Sequence, residues 1–167
     1  MDIENLKQNE MIEQYYQEYK KHEASYVLSD TIGWRRIASA NGMTVNARIY
    51  ICQQGYAFAT LSLDVVSLNG WEPKIAVANY RYSNQINRFS KARLVCWGNH
   101  ECYVDIYNDY ENNNGGKLDI YVDNIHGITL SQSETIVGES VDSKYQVYQI
   151  TPSYSSASLA TTLEKIK

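Results

Sequence analysis

Alternation of apolar and polar residues with a period of two runs through the chain from Tyr26 to Ile150. Successive side chains of a β-strand point to opposite sides, so this period is that of strands with one buried face. Turn signals separate the alternating segments about every 8–12 residues, and no helical pattern intervenes. The chain is therefore predicted to be mainly β, as an antiparallel β-sandwich or jelly-roll-like domain. The predicted strands are 44–51, 56–65, 74–82, 91–97, 101–108 and 117–123, with shorter ones near 127–131, 133–139 and 144–150.

The beginning of the chain has a different composition. Residues 2–25 contain neither Gly nor Pro and are rich in Glu, Gln, Lys, Met and Leu, which favours an N-terminal α-helix. Ile12, Tyr19 and Tyr26 recur every seven residues, but polar residues fill most of the remaining seam. A helix with so thin an apolar stripe either packs loosely on the domain or pairs with copies of itself. The predicted division is 1–25 for the helix and coiled-coil stalk, 26–150 for the head domain, and 151–167 for a Ser-rich linker with a short C-terminal helix.

A tight hairpin is predicted with residues 98–100 as its turn. In such a hairpin Cys96 and Cys102 lie opposite each other within disulfide reach, and Val95 and Val104 belong to the core. The chain contains three cysteines. This odd count favours free thiols in a reducing compartment over a secreted disulfide framework.

Charge and hydropathy exclude two classes of partner. The net charge of −4 leaves no basic surface for a nucleic-acid backbone. The chain has no run of 18 apolar residues, so membrane insertion is not expected. The acidic first residues, followed by no apolar stretch, do not resemble an export signal.

No known catalytic or metal-binding motif occurs in the sequence. His100, Glu101 and Cys102 are consecutive, and adjacent side chains of a strand point to opposite faces, so they are not expected to share an ion. Arg35 and Arg36 are best explained as charged strand residues. We therefore predict no metal, no cofactor and no catalytic residue.

Tyrosine is unusually abundant, with 15 residues against two phenylalanines. A tyrosine or tryptophan ring packs on the apolar C–H face of a sugar, and neighbouring polar side chains bind its hydroxyl groups. Two strand ends combine these residue types, and loops at strand ends commonly carry function. The ligand-binding residues predicted on this basis are Tyr80, Arg81, Tyr82, Trp97, Asn99 and His100.

Three stretches of the sequence resemble the receptor-binding head domains of bacteriophage tail fibres. They are GWRRIA at 33–38, the alternating pair 44–51 and 56–65, and KARLVCW with ECYVDIY between 91 and 107. In that family a similar first strand opens a trimeric β domain flanked by helical or coiled-coil segments. The resemblance covers roughly 33–130 and implies that Trp34 is a core residue. The family has no universal catalytic residues to transfer to this chain, and Arg35 stands where an aromatic residue is usual.

The resemblance implies a phage or prophage tail-fibre-like adhesin module that attaches to a host cell surface without catalysis. Its expected partners are further copies of itself, as a homotrimer, and a host glycan or protein receptor. Its expected location is the virion tail, after assembly in the host cytoplasm. Two alternatives remain open: a bacterial carbohydrate-binding module or surface adhesin domain, and a tail-associated glycoside-cleaving domain, which requires two facing carboxyl groups.

Overall fold

The computed structural model describes most of the chain as one helix followed by strands. The described residues are 2–20, 22–40, 44–55, 57–68, 71–83, 85–98, 100–112, 115–123 and 127–155. Their elements are α1 (Ile3–Lys20), β1 (Glu23–Val27), β2 (Gly33–Ala40), β3 (Val45–Gln53), β4 (Ala59–Leu68), β5 (Trp71–Tyr82), β6 (Ala92–Trp97), β7 (Glu101–Asn108), β8 (Lys117–Asp123), β9 (Ile128–Leu130), β10 (Ile136–Val137) and β11 (Gln146–Ile150).

The strands form two antiparallel sheets, as the alternation predicts. Sheet 1 has the order β1-β8-β3-β4-β5. Sheet 2 has the order β10-β2-β7-β6-β11, and β9 also pairs with β2. A bulge between Arg36 and Ala38 lets β2 pair with β10 on one side of the irregularity and with β9 on the other. The predicted mainly β fold with an N-terminal helix is confirmed.

The hydrophobic core lies between the inner faces of the two sheets. The strand β3 is typical: Val45, Ala47, Ile49 and Ile51 are buried, and the residues between them face outward. The opposite sheet contributes aliphatic side chains such as Leu94, and alternation places them on its inner face. Other members of the same core are Ile37, Ala38, Leu61, Leu63, Val104, Ile106, Leu118, Ile120 and Val122.

The helix ends earlier than predicted. Residues 23–25, which the composition assigned to the helix, belong to β1, where Tyr26 pairs with Leu118 of β8. Burial of Ala24 and this pairing outweigh the helical propensity of the segment. The side chains of residues 2–14 are all exposed.

The start of the predicted C-terminal linker is attached to the domain. Ser155 donates its backbone N–H to the Tyr80 carbonyl at 2.7 Å and accepts the Tyr80 N–H through its hydroxyl at 3.0 Å. Pro152 is buried. Residues 151–155 are therefore held against β5 and do not form a free linker. The predicted C-terminal helix falls outside the described residues.

The predicted hairpin is present as β6 and β7. Cys96 and Cys102 are register partners and both are buried free thiols. Their mutual hydrogen bond and burial raise the pKa of Cys102. Val104 lies in the main core, whereas Val95 is buried on the opposite face of sheet 2.

Candidate functional site

The first predicted binding group, Tyr80, Arg81 and Tyr82, is divided between the two faces of sheet 1. The Tyr80 side chain is 0% exposed, and its hydroxyl donates to Asn87 Oδ1 at 2.6 Å while accepting the Phe89 N–H at 2.8 Å. This burial corrects the assignment of Tyr80 to a surface site. A bulge in the pairing of β4 with β5 shifts the alternation, so that Tyr80 points inward. Arg81 remains exposed on the outer face, and Tyr82 is half-buried against the core.

The second predicted group lies at the tip of the β6–β7 hairpin. The rings of Trp97 and His100 are 4.2 Å apart between centroids, with an interplanar angle of 31°. The Lys144 ammonium lies 4.2 Å from the centroid of the Trp97 ring. The Trp97 ring therefore already has two partners within the chain. Asn99 lies outside the described residues.

Near this tip, Glu101 connects two tyrosines. Its carboxylate accepts a hydrogen bond from the Tyr103 hydroxyl at 2.9 Å and another from the Tyr145 hydroxyl. These bonds hold the pKa of Glu101 below its usual value. The guanidinium of Arg36 lies 3.9 Å from the centroid of the Tyr103 ring. These groups contact one another within the chain, and the contacts hold residues 144–145 against sheet 2.

A large part of the outer face of sheet 2 is also covered. Arg93 donates to the backbone carbonyls of Gly138 at 2.8 Å and Glu139 at 3.1 Å. The indole N–H of Trp34 donates to the Glu139 carboxylate. Trp34 is buried, as the resemblance implied, but beneath this covering segment (138–145) and not between the sheets. The outer face of sheet 2 therefore packs against the segment 138–145 of the same chain.

An open groove of about 1110 Å³ lies on the outer face of sheet 1. Its centre is formed by Tyr50 of β3 and Tyr121 of β8, which are register partners. Their ring centroids are 6.0 Å apart at an interplanar angle of 36°, and the side chains are 39% and 46% exposed. Together they present two aromatic rings side by side at the floor of the groove.

Polar side chains surround this tyrosine pair in rows that follow the strand register. One row crosses the sheet from Glu23 through Tyr121 and Tyr50 to Ser62 and Asn79. The next row consists of Ser25, Asp119, Cys52, Thr60 and Arg81. Arg81, predicted from the sequence, thus lies at the β5 edge beside Thr60, which lines the groove.

Ion pairs and hydrogen bonds hold several of these groups in place. Arg48 donates to Asp64 from Nε at 2.6 Å and from Nη2 at 2.9 Å. This contact lowers the pKa of Asp64. Asp119 accepts the Ser25 hydroxyl at 2.6 Å and the side-chain amide of Gln54. The polar lining is therefore ordered before any ligand arrives.

The groove also contains a thiol. Cys52 is half-buried, and its burial and the nearby Asp119 raise its pKa. A thiol with a raised pKa is a poor nucleophile near neutral pH. Among the described residues, no three His, Cys, Asp or Glu side chains come together in a way that could hold a metal ion.

Sequence reasoning predicted alternating strands at 44–51 and 117–123 but did not combine Tyr50 and Tyr121 into a site. The alternation in β3 and β8 places both rings on the outer face. Their adjacency depends on the pairing of strands about 70 residues apart, for which the sequence carries no local signal.

The fold and the groove define a β-sandwich with an aromatic and polar groove on the outer face of one sheet. No protein-family model, curated protein or solved structure matches the chain. Within the part of the chain that the structure describes, no helix is both long and apolar enough to cross a membrane.

Proposed function

We propose that the protein is a non-catalytic, glycan-binding adhesin module of the tail-fibre type, which attaches to a host cell surface through the groove on sheet 1. The observation that carries this proposal is the exposed pair of tyrosines, Tyr50 and Tyr121, at the floor of a polar groove. The resemblance in segments 33–38, 44–51, 56–65 and 91–107 supports the assignment to a tail fibre.

The chemistry of the groove fits a saccharide. A sugar ring presents an apolar C–H face, which stacks on an aromatic ring, and an edge of hydroxyl groups. Asn79, Ser62 and Thr60 lie on neighbouring strands beside the tyrosines and offer donors and acceptors to those hydroxyls. A shallow, open site of this kind is expected to bind with a dissociation constant of about 0.1–1 mM, or roughly 4–5.5 kcal/mol.

Self-association compensates for the low affinity of one site. The side chains of α1 between residues 2 and 14 are exposed, and α1 is the element proposed to associate in a homotrimer. Three copies attached to one surface raise the overall avidity without any new contact. In the proposed setting, the virion tail, the helix connects the domain to the fibre and the sandwich faces the host.

The proposal is tested on an array of bacterial surface glycans with the labelled full chain. Tyr50→Ala and Tyr121→Ala are expected to lose about tenfold or more in binding, since each removes a stacking surface. Phe58→Ala is the matched control, because Phe58 is an exposed aromatic residue that does not line the groove. Trp97→Ala and Tyr82→Ala test the site predicted from the sequence.

A glycan found on the array should also slow the labelling of the Cys52 thiol by a maleimide in alkaline buffer, where the thiolate is populated. Cys96 and Cys102 are buried and serve as internal references in the same mass spectrum. Binding to no glycan contradicts the proposed function. Binding that survives both tyrosine substitutions but fails in Trp97→Ala moves the site to the hairpin tip.

A further inference from the structure

Two of the three cysteines of the chain lie side by side in the core, near the turn of the β6–β7 hairpin. Cys96 and Cys102 are register partners on antiparallel strands, and both are buried on the inner face of sheet 2. Directly opposed residues of an antiparallel pair have Cα atoms about 4.5–5.5 Å apart, which lies within the range that a disulfide spans. The backbone therefore holds the two side chains at the separation that a cross-strand disulfide requires.

The two sulfur atoms also face each other. A hydrogen bond joins the side chains of Cys96 and Cys102, so the thiols are already in contact. A bond between them needs side-chain rotation and no change of strand register. The exposed fractions are small, 4% for Cys96 and 8% for Cys102, so an oxidant that reaches them in the folded protein has to be a small molecule.

The hydrogen bond gives the two thiols different roles. The contact with Cys102 lowers the pKa of Cys96, whereas the same contact and burial raise the pKa of Cys102. The thiolate is the nucleophilic form of cysteine, so Cys96 is the sulfur that reacts first with an oxidant. Cys102 is the adjacent thiol that can then resolve the oxidised product into a disulfide.

We infer that Cys96 and Cys102 form a cross-strand disulfide when the folded protein meets a peroxide, and that this bond closes the β6–β7 hairpin in its native register. The Cys96 thiolate attacks one oxygen of hydrogen peroxide, the O–O bond breaks, and the products are a sulfenic acid on Cys96 and one water. The Cys102 sulfur then attacks the Cys96 sulfur, the S–O bond breaks, and the hydroxyl leaves with the Cys102 proton as a second water. Two thiols are thus oxidised to one disulfide, and one peroxide is reduced to two waters.

Cys52 provides an internal comparison in the same chain. It lies on the outer face of sheet 1, with Thr60 and Asp119 as its register partners, whereas the other two cysteines are on the inner face of sheet 2. Cys52 therefore cannot reach either of them within one folded chain. Peroxide can convert it only to sulfenic and higher acids, or to a disulfide between two chains.

The test treats the full chain with dilute hydrogen peroxide at neutral pH, blocks the remaining thiols with a maleimide in denaturant, and maps unreduced tryptic peptides by mass spectrometry. Residues 94–117 form one tryptic peptide that contains both cysteines of the pair. This peptide should lose two hydrogens and take up no maleimide, and a phosphine reductant added before blocking should restore both thiols. Cys96→Ala and Cys102→Ala should each abolish the loss of two hydrogens. The wild-type peptide decides the inference even if an alanine variant does not fold.

Thermal melting tests whether the bond forms in the native register. The oxidised protein is compared with the same sample after phosphine reduction, so that any oxidised methionine is common to both. The disulfide should raise the Tm by about 4–8 °C, and Cys102→Ala should show no such difference. Three results overturn the inference: two free thiols in peptide 94–117 after Cys52 has been oxidised, a loss of two hydrogens that persists in a folded alanine variant, or an unchanged or lower Tm of the cross-linked protein. None of them bears on glycan binding, which the groove variants test separately.

Discussion

Asp105 of β7 and Arg93 of β6 lie directly opposite each other in the sheet and form an ion pair of 2.9 Å, in which the aspartate side chain is 0% exposed. The other carboxylate oxygen of Asp105 accepts Arg36 Nε, also at 2.9 Å. The covering segment 138–145 closes over Arg93 through two backbone carbonyls. Asp105 thus forms ion pairs with the guanidinium groups of both Arg93 and Arg36, at the centre of a buried polar cluster.

Asp105→Asn is expected to lower the free energy of unfolding by about 3–5 kcal/mol, because it leaves Arg93 as an uncompensated buried charge. Asp64→Asn is the matched control. It breaks a bidentate pair with Arg48 that is open to solvent, and it should cost about 0–1 kcal/mol. Urea denaturation measures both values, and equal losses would contradict the burial of the Asp105 cluster.

Arg88 is a buried arginine for which the opposite expectation holds. Among the described residues it has no carboxylate partner: it donates one hydrogen bond, to the Ala57 carbonyl, and its Nε and Nη2 have no hydrogen-bond partner there. Burial lowers the pKa of Arg88 to about 10. Arg88→Met keeps much of the side-chain volume and removes the desolvated charge, so we expect unchanged or increased stability in urea. A loss of more than about 2 kcal/mol would show that the charge is stabilising.

Val104→Asp is expected to unfold the domain. Val104 is buried in the main core between the sheets, and an unpaired buried charge there costs about as much as the whole stability of a typical domain. Val66→Asp makes the same change on the outer face of β4, where Val66 is partly exposed, and should leave a cooperative melt. Thermal melts followed by circular dichroism distinguish the two variants. A Val104→Asp protein that melts cooperatively would contradict the burial of Val104 on the inner face of β7.

The loop after β9 gives a prediction on pH. Burial alone would raise the pKa of Glu134, but hydrogen bonds from Ser29 and the ion pair with Arg35 outweigh it, and the pKa lies below the ordinary value of 4.5. A lowered folded-state pKa contributes stability that is present above the unfolded-state pKa and is lost as the pH falls through the folded-state value. The stability gap between the wild type and Glu134→Gln should therefore shrink as the pH falls below about 4.5 in urea titrations. A gap that stays constant down to about pH 3 would contradict the lowered pKa.

The proposed assembly depends on α1. The full chain at micromolar concentration should have a mass three times 19.1 kDa in light scattering. Ile12→Glu places a charge on an exposed apolar position of the helix and should shift the protein toward the monomer, whereas Glu10→Gln should not. A wild-type monomer would exclude the homotrimer and the avidity that it provides.

The local pattern of the sequence was sufficient for most of the strands. The predicted strands 101–108 and 117–123 coincide with β7 and β8. Each segment alternates strictly between two clear turn signals, and this pattern determines which face of the strand is buried and where the strand ends. The opposition of Cys96 and Cys102 follows in the same way from a short hairpin turn. In such segments the interactions that determine the structure lie within a few residues of one another.

The arrangement of the groove was decided by tertiary structure. Residues 23–25 have a helical composition but become a strand because β8 offers them a partner, and this places Glu23 opposite Tyr121. The inward turn of Tyr80 depends on a bulge against β4. The sequence by itself determined which residues alternate and therefore the fold class. Which strands became neighbours, and so which side chains share a surface, was decided by pairing and burial between segments far apart in the chain, whose energies exceed local propensity.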